Sequence, residues 1–205
     1  MSQASITSEF HALAGSVRRK QVIDVVRAGT FIGALLLAWI TLRPFADLGE
    51  LQIGDVSTGH DLPTYVTFAI LAGVAVWLAM RDNAQGLATL LTKPFILFAA
   101  WLCFTTVLSF DPGTSMRRLA LTVCVIAVAA SLPLLARSQR ELMRWFSIAA
   151  LGLLAVCYLG LLLSPYYSMH HATDLQEPLL AGSWRGSFGH KNVAAGIMAM
   201  LLFLG

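Results

Sequence analysis

Five long apolar runs limit what this chain can fold into more than any other feature. They extend from Ala28 to Leu42, Leu62 to Met80, Pro94 to Phe110, Leu119 to Ala136 and Trp145 to Ser164, and none contains Asp, Glu, Lys, Arg or His. A sixth run begins near Val193 and stops at Gly205. A membrane's hydrocarbon core takes about 20 mostly apolar residues in helix. The composition removes a soluble alternative: 57% of the 205 residues are hydrophobic and 12% are charged. Soluble domains carry about 25% charged residues, enough to coat a water-facing surface. The fold class expected is all-α: a polytopic transmembrane helical bundle with five full spans and a truncated sixth. Residues 1–27 form a cytoplasmic arm and residues 28–205 the transmembrane domain, which reads as the N-terminal half of a longer protein.

Turn chemistry separates the runs. Pro63 and Pro94 stand at or beside helix starts, where the missing N–H costs little. Asp111-Pro112-Gly113 reads as a tight turn. Pro133 is expected to kink the fourth span. Trp39, Tyr65, Trp77, Trp145, Tyr166 and Tyr167 fall near the span ends, as an interfacial aromatic belt would. Trp101 and Tyr158 fall deeper and read as packing residues. Cys103, Cys124 and Cys157 each lie in a different run and read as buried small hydrophobes.

Lys and Arg set the orientation. Arg18, Arg19, Lys20, Arg27, Arg81, Lys93, Arg137, Arg140 and Arg144 fall on one side, and Arg43, Arg117, Arg118, Arg185 and Lys191 on the other, together the chain's 14 basic residues. The nine-to-five split puts the N-terminus in the cytoplasm and the first, third and fifth loops outside. No cleavable signal peptide is apparent. In the arm, Ile6, Phe10, Leu13 and Val17 recur at helical spacing before Arg18-Arg19-Lys20. A helix lying on the anionic leaflet and a solvated arm both have that pattern.

The charge-free spans argue against ion-coupled transport, which places ionisable groups at mid-membrane. The chemistry is therefore sought in the loops. Asp47, Glu50, Asp55 and Asp61 face Arg43 in loop one, as a solvated acidic loop or a weak cation site. In loop five, His170 and His171 precede Asp174 and Glu177, but adjacent histidines point in different directions, so no metal is expected. The richest stretch runs from Gly182 to Asn192 into the last apolar run. Asn192 is a good N-cap, and the free N–H groups behind it favour an anion. Arg185 offers a planar fork for phosphate oxygens, and His190 exchanges a proton near neutral pH. Gly186 and Gly189 let the backbone approach a ligand, and Trp184 and Phe188 can stack on a sugar face. A basic, aromatic interface loop with snorkelling side chains has the same composition. Arg117 and Arg118, at the outward end of span four, add an anion-facing pair or a headgroup contact.

The string Trp184-Arg185-Gly186-Ser187-Phe188-Gly189-His190-Lys191-Asn192 resembles the R-G-x-F-x-H-(K/P)-N signature of the O-antigen ligase and polysaccharide polymerase family. Lys191 looks closest to its exopolysaccharide polymerase branch. The stretch from Ser109 to Arg118 resembles that family's S-x-D-P-x-x-S-x-R-R turn. The resemblance implies a glycosyltransferase of surface polysaccharide assembly at the periplasmic face of the bacterial inner membrane. Its partners would be an undecaprenyl-pyrophosphate-linked glycan as donor, an acceptor glycan or lipid A core, and membrane lipid. No cofactor, metal or nucleic acid is expected. Arg185 and His190 would be catalytic, with Arg117, Arg118, Trp184, Gly186, Lys191 and Asn192 binding substrate. Family members carry a large outward loop in their second half with further Arg and His residues. The 205 residues alone are therefore expected to be inactive. The competing reading is a lipid-linked oligosaccharide flippase or other polytopic transporter, which needs a charged path through the bundle. A non-catalytic membrane scaffold is a third.

Overall fold

The computed structural model describes residues 3–40, 42, 62–90, 92–173, 178–188 and 191–204, with side chains omitted for 3–17, 19, 203 and 204. The described chain is helical: α1 (Gln3–Ile40), α2 (Leu62–Thr89), α3 (Lys93–Val107), α4 (Pro112–Leu135), α5 (Gln139–Leu163), the single turn α6 (Pro165–Ser168), a 3-10 turn (Pro178–Leu180) and α7 (Lys191–Leu204). Four stretches are long and apolar enough to cross a membrane: Lys20–Ile40, Leu62–Thr89, Pro112–Leu135 and Gln139–Leu163.

Among the described residues four helices have spanning length and two apolar ones, α3 and α7, are shorter, which does not support the finer count of five full spans and a truncated sixth. Over its 15 residues, α3 rises about 22 Å, less than the roughly 30 Å of a hydrocarbon core. The expected third span loses its C-terminal end because Leu108 closes the helix, its N–H bonding to Phe104. Ser109, Phe110 and Asp111 then belong to the turn that starts α4.

Local signals set the other ends. Ser138 caps α5 by accepting from the Glu141 N–H, and the Glu141 carboxylate accepts from the Arg137 N–H at 2.8 Å. This is a reciprocal variant of the Ser-x-x-Glu capping box. Pro133 lies in the last turn of α4, where the helix is about to stop. The break that does occur is in α2, at Asn83 (φ −153°, ψ 62°). The Asn83 side chain accepts from the Gly86 N–H at 2.9 Å and so caps the helical turn that follows. The arm and the first span are one continuous helix, α1.

Small residues let the helices approach closely, as is usual where lipid removes a hydrophobic drive between them. Ala75, Ala79 and Ala149 are fully buried, and Ala34 and Ala72 nearly so. Phe31 packs on Trp145 with ring centroids 5.5 Å apart, and Trp39 meets Phe146 edge-on at 5.6 Å. Trp39 and Trp145 are thus core residues, which corrects their reading as interfacial. Trp101 and Tyr158, expected to pack inside, are exposed on the chain's surface. Cys103 is exposed and Cys124 partly buried; only Cys157 is the buried hydrophobe expected of all three. Large apolar side chains such as Leu97, Trp101, Leu151 and Leu162 face outward, where hydrocarbon is their compatible neighbour.

One ionic tie joins the helices at one end. Arg27 of α1 is 3% exposed. It pairs with Asp82 of α2 at 3.3 Å and lies 3.9 Å from Asp24, and it donates to the Leu135 carbonyl at the end of α4. Asp24 in turn meets Arg137 at 2.6 Å. The sequence boundary at Ala28 had left Arg27 outside the first span. The apolar stretch that begins at Lys20 includes it, together with Asp24. Removing one partner of a buried ion pair leaves an uncompensated charge and costs about 3 kcal/mol or more. Arg27→Ala should therefore lower the unfolding midpoint of the detergent-solubilised protein strongly, and Asp82→Ala should do the same. The Arg27→Met, Asp82→Leu double substitution should recover much of the loss in a double-mutant cycle.

Candidate functional site

The chain after α5 folds back on itself. Ser164 ends α5, donating its N–H to Gly160 at 2.8 Å, and Pro165 starts the single turn α6. Met169 then pairs antiparallel with Trp184. His170 donates its N–H to the Ser183 carbonyl and accepts from the Gly182 N–H, both at 2.9 Å. The Ser168 carbonyl accepts from the N–H groups of both Arg185 and Gly186, at 3.0 and 3.1 Å. These bonds satisfy the backbone of a loop that would otherwise have to stay in water.

Two glycines make the path possible. Gly182 and Gly186 have φ of +83° and +63°, a region that side-chain-bearing residues rarely enter. At Gly186 there is no space either: an added Cβ would sit 3.1 Å from Trp184 Cζ2 and 3.3 Å from Cys157 Sγ. Gly186 therefore lets the loop lie directly on α5. Cys157 Sγ and Ser187 Oγ are 3.2 Å apart, and the Trp184 ring stacks on Tyr158 with centroids 6.4 Å apart. Phe188, 2% exposed, is inserted among Trp39, Ile40, Leu153, Cys157 and Ala194. The loop is seated in the bundle rather than lying over it.

The sequence-predicted site residues are distributed as follows. Arg185 is 3% exposed, and its Nη1 donates to the Phe188 carbonyl at 3.4 Å. Its fork is enclosed by the loop, where an open, solvent-facing group was expected. Trp184 is half-buried against α5 and Gly186 is buried. Lys191 and Asn192 begin α7, with Asn192 exposed. His190 and Gly189 lie outside the described residues, as do Arg43, Asp47, Glu50, Asp55, Asp61, Asp174 and Glu177. Arg117 and Arg118 are exposed in the early turns of α4, a helix that packs on α1, α2 and α3. They and Arg185 are thus held by different helices.

His170 and His171 diverge. His170 is 3% exposed, whereas His171 stacks on Tyr166 with centroids 4.1 Å apart and places Nε2 2.6 Å from the Tyr166 carbonyl. Among the described residues, no three His, Cys, Asp or Glu side chains form a metal-holding group. Sequence reasoning missed the floor of the loop: Cys157, Tyr158, Ser168 and His170. Only the Gly186 spacing hinted at it, because a glycine beside an aromatic marks a close approach without naming the neighbour.

The stretch from Ser109 to Arg118 is a helix start in which each polar residue has a task. Asp111 caps α4, accepting from the Thr114 N–H at 3.2 Å. Ser115 Oγ donates to Ser109 Oγ at 2.5 Å across the turn. The hydrogen bonds from Thr114 hold the Asp111 carboxyl below its ordinary pKa, with smaller help from the Gly113 N–H and the Arg117 charge. The motif therefore presents Arg117 and Arg118 on a firmly capped helix end.

Among the described residues the fold is all-helical, with four helices long and apolar enough to cross a membrane. Compared with models of known protein families, with curated proteins and with solved structures, the chain matches none.

The seating of the loop yields a specific expectation. Gly186→Ala forces a left-handed backbone and crowds Cys157, costing about 1–2 kcal/mol for the backbone alone. It should lower the thermal midpoint in detergent. Gly196→Ala, where a Cβ meets nothing within 4 Å, should leave it unchanged or slightly raised.

Proposed function

We propose that this chain belongs to a bacterial membrane glycosyltransferase of surface polysaccharide assembly. In this reading it transfers or polymerises glycan from an undecaprenyl-pyrophosphate carrier at the periplasmic face of the inner membrane. Its N-terminus is cytoplasmic, and α3 and the helix beginning at Lys191 join the four longer helices as membrane passages. The acceptor is a second glycan or lipid A core.

The observation that carries this reading is the string from Trp184 to Asn192. It combines the R-G-x-F-x-H-K-N residues with a purpose-built turn seated on α5 and leading straight into α7. Strand-like pairing at Met169 and Trp184 and the close approach at Gly186 are more than an interface anchor requires. Alternation of the helices brings the start of α4 to the same end of the bundle, so the exposed Arg117 and Arg118 share that face.

The leaving group of such a transfer is a pyrophosphate, which gains charge as the glycosidic bond breaks. Cationic stabilisation is then the main requirement. Arg185 is enclosed in the loop with its Nη1 on the Phe188 carbonyl, so in this reading its guanidinium acts from a fixed position. The exposed Arg117 and Arg118, with the half-buried Lys191, would meet the phosphates, and the first turn of α7 would contribute N–H groups. Trp184 and Gly186 shape the surface against which a sugar packs. His190 is the candidate for proton transfer or for positioning the attacking hydroxyl.

The transporter alternative needs a charged path through the bundle. The Asp24–Arg27–Asp82–Arg137 cluster lies toward one end of the bundle, beside the end of α4, and serves as a tie between helices.

In the full-length protein that this reading implies, Arg185→Ala should lower the rate of polymer or ligated glycan formation from lipid-linked donor by about a hundredfold in membranes, the cost of losing an electrostatic contact of about 3 kcal/mol. Arg185→Lys keeps the charge, loses the planar fork and should fail nearly as badly. His190→Ala should be damaging to a lesser degree. Protein levels are matched by immunoblot. Wild-type rates for both Arg185 variants would make the loop a structural element and end the pyrophosphate reading.

A further inference from the structure

A second feature lies toward the opposite end of the bundle, independent of the polysaccharide reading. Between α2, α3 and α4 is a cavity of about 660 Å³, within the range of small-molecule sites, roughly 300–1,000 Å³. Its lining, which includes Met80, Leu87, Phe95, Phe98, Cys103 and Val123, contains no charged side chain. A space with no polar partners excludes water. The short α3 contributes one wall, and its outer face, with Leu97, Trp101 and Phe104, is exposed. The cavity therefore opens where apolar chains are the surrounding medium.

Its mouth is cationic. Leu90 and Phe95 both line the cavity, and Lys93 stands between them, exposed, as the first residue of α3. Thr92, at the N-cap, makes no side-chain capping bond, so the first turn of α3 adds its positive dipole end to the Lys93 charge. Arg81, Arg140 and Arg144, all exposed, belong to the same end of the bundle. The acidic groups there are already engaged: Asp24 and Asp82 with Arg27 and Arg137, and Glu141 with the Arg137 N–H. Among the described residues, Lys93, Arg140 and Arg144 make no ion pair, and Arg81 lies over the Trp77 ring at 5.8 Å.

We infer that this is a binding site for an anionic glycerophospholipid. One acyl chain fills the cavity between α2, α3 and α4, and the headgroup phosphate rests at Lys93 and the first turn of α3. The apolar lining selects a hydrocarbon chain, and the exposed Lys93 charge beside it selects a negative headgroup over a zwitterionic one. The shortness of α3 follows the same logic. A helix that does not cover the full hydrocarbon thickness leaves room for a lipid to complete the layer.

The test uses the whole chain in detergent with a phosphatidylglycerol that carries a mid-chain diazirine. After photolysis, labelled peptides should map to the cavity-lining segments of α3 and α4. Excess unlabelled phosphatidylglycerol should suppress the labelling about tenfold more effectively than phosphatidylcholine, the size expected of a modest electrostatic preference. Cys103→Trp fills the cavity from an exposed position and should abolish the mapped labelling. Lys93→Gln, a surface change that leaves the core untouched, should keep the labelling and lose the headgroup preference. Equal competition by the two lipids against the unaltered protein would overturn the site. So would an unchanged preference in Lys93→Gln, which remains decisive even if Cys103→Trp does not fold. None of these readouts involves glycan transfer, so this site and the polysaccharide reading stand or fall separately.

Discussion

A guanidinium that is 3% exposed among apolar helices needs compensation on every side, and Arg27 finds it on three elements at once. Its own helix supplies Asp24, α2 supplies Asp82 and the end of α4 supplies the Leu135 carbonyl. A carbonyl at a helix C-terminus has no partner of its own and carries the negative end of the dipole, so it suits a cation. Arg137, next to the end of α4, then neutralises Asp24, and its N–H completes the cap of α5 through Glu141. The middle of α1, α2 beside its break at Asn83, the end of α4 and the start of α5 are thereby fixed together. The geometry has little freedom, because moving any one helix leaves a charge uncompensated in a low-dielectric surrounding.

That tie makes the two ends of the bundle chemically different. At the Arg27 end, acid and base neutralise each other in the interior, and Lys93 stands exposed beside the apolar cavity. At the other end there is no comparable ionic knot among the described residues. The loop after α5 is instead held by backbone hydrogen bonds, by Phe188 inserted in the core and by the contact of Gly186 with Cys157. These contacts hold Arg185 in a fixed place in the loop, and Arg117 and Arg118 stand exposed on the neighbouring helix end.

Much of this was legible in the residues. Long uncharged runs gave helices, Pro63 and Pro94 marked helix starts, and the tight turn read at Asp111-Pro112-Gly113 is the capped start of α4, because such signals act over three or four residues. Properties that depend on distant partners were not legible. Asn83 breaks α2 by bonding Gly86, which reads in sequence like an ordinary polar loop start. Arg27 looked like a flanking charge because Asp82 is 55 positions away. Trp39 and Trp145 looked interfacial because period and position do not say which face meets another helix. Arg185 looked like an open fork. Its enclosure depends on Phe188 being drawn into a cluster with Trp39 and Leu153, which no local pattern reveals. Gly186 was read as letting the backbone approach a ligand; what its backbone approaches in the structure is Cys157 and Trp184, neighbours that no local pattern names.

The central claim is that the two ends lie on opposite sides of a membrane, with the loop after α5 and the start of α4 facing out. Single cysteines placed at Ser115 and at the exposed Ala181, in a background in which Cys103, Cys124 and Cys157 are replaced, test it most directly. With a membrane-impermeant thiol reagent added from the outside, both should be labelled, while a cysteine at Ser138, between α4 and α5, should react only after the membrane is opened. Labelling at Ser138 in sealed membranes, with Ser115 and Ala181 protected, would contradict the orientation and with it the placement of the Arg185 loop at an outward face.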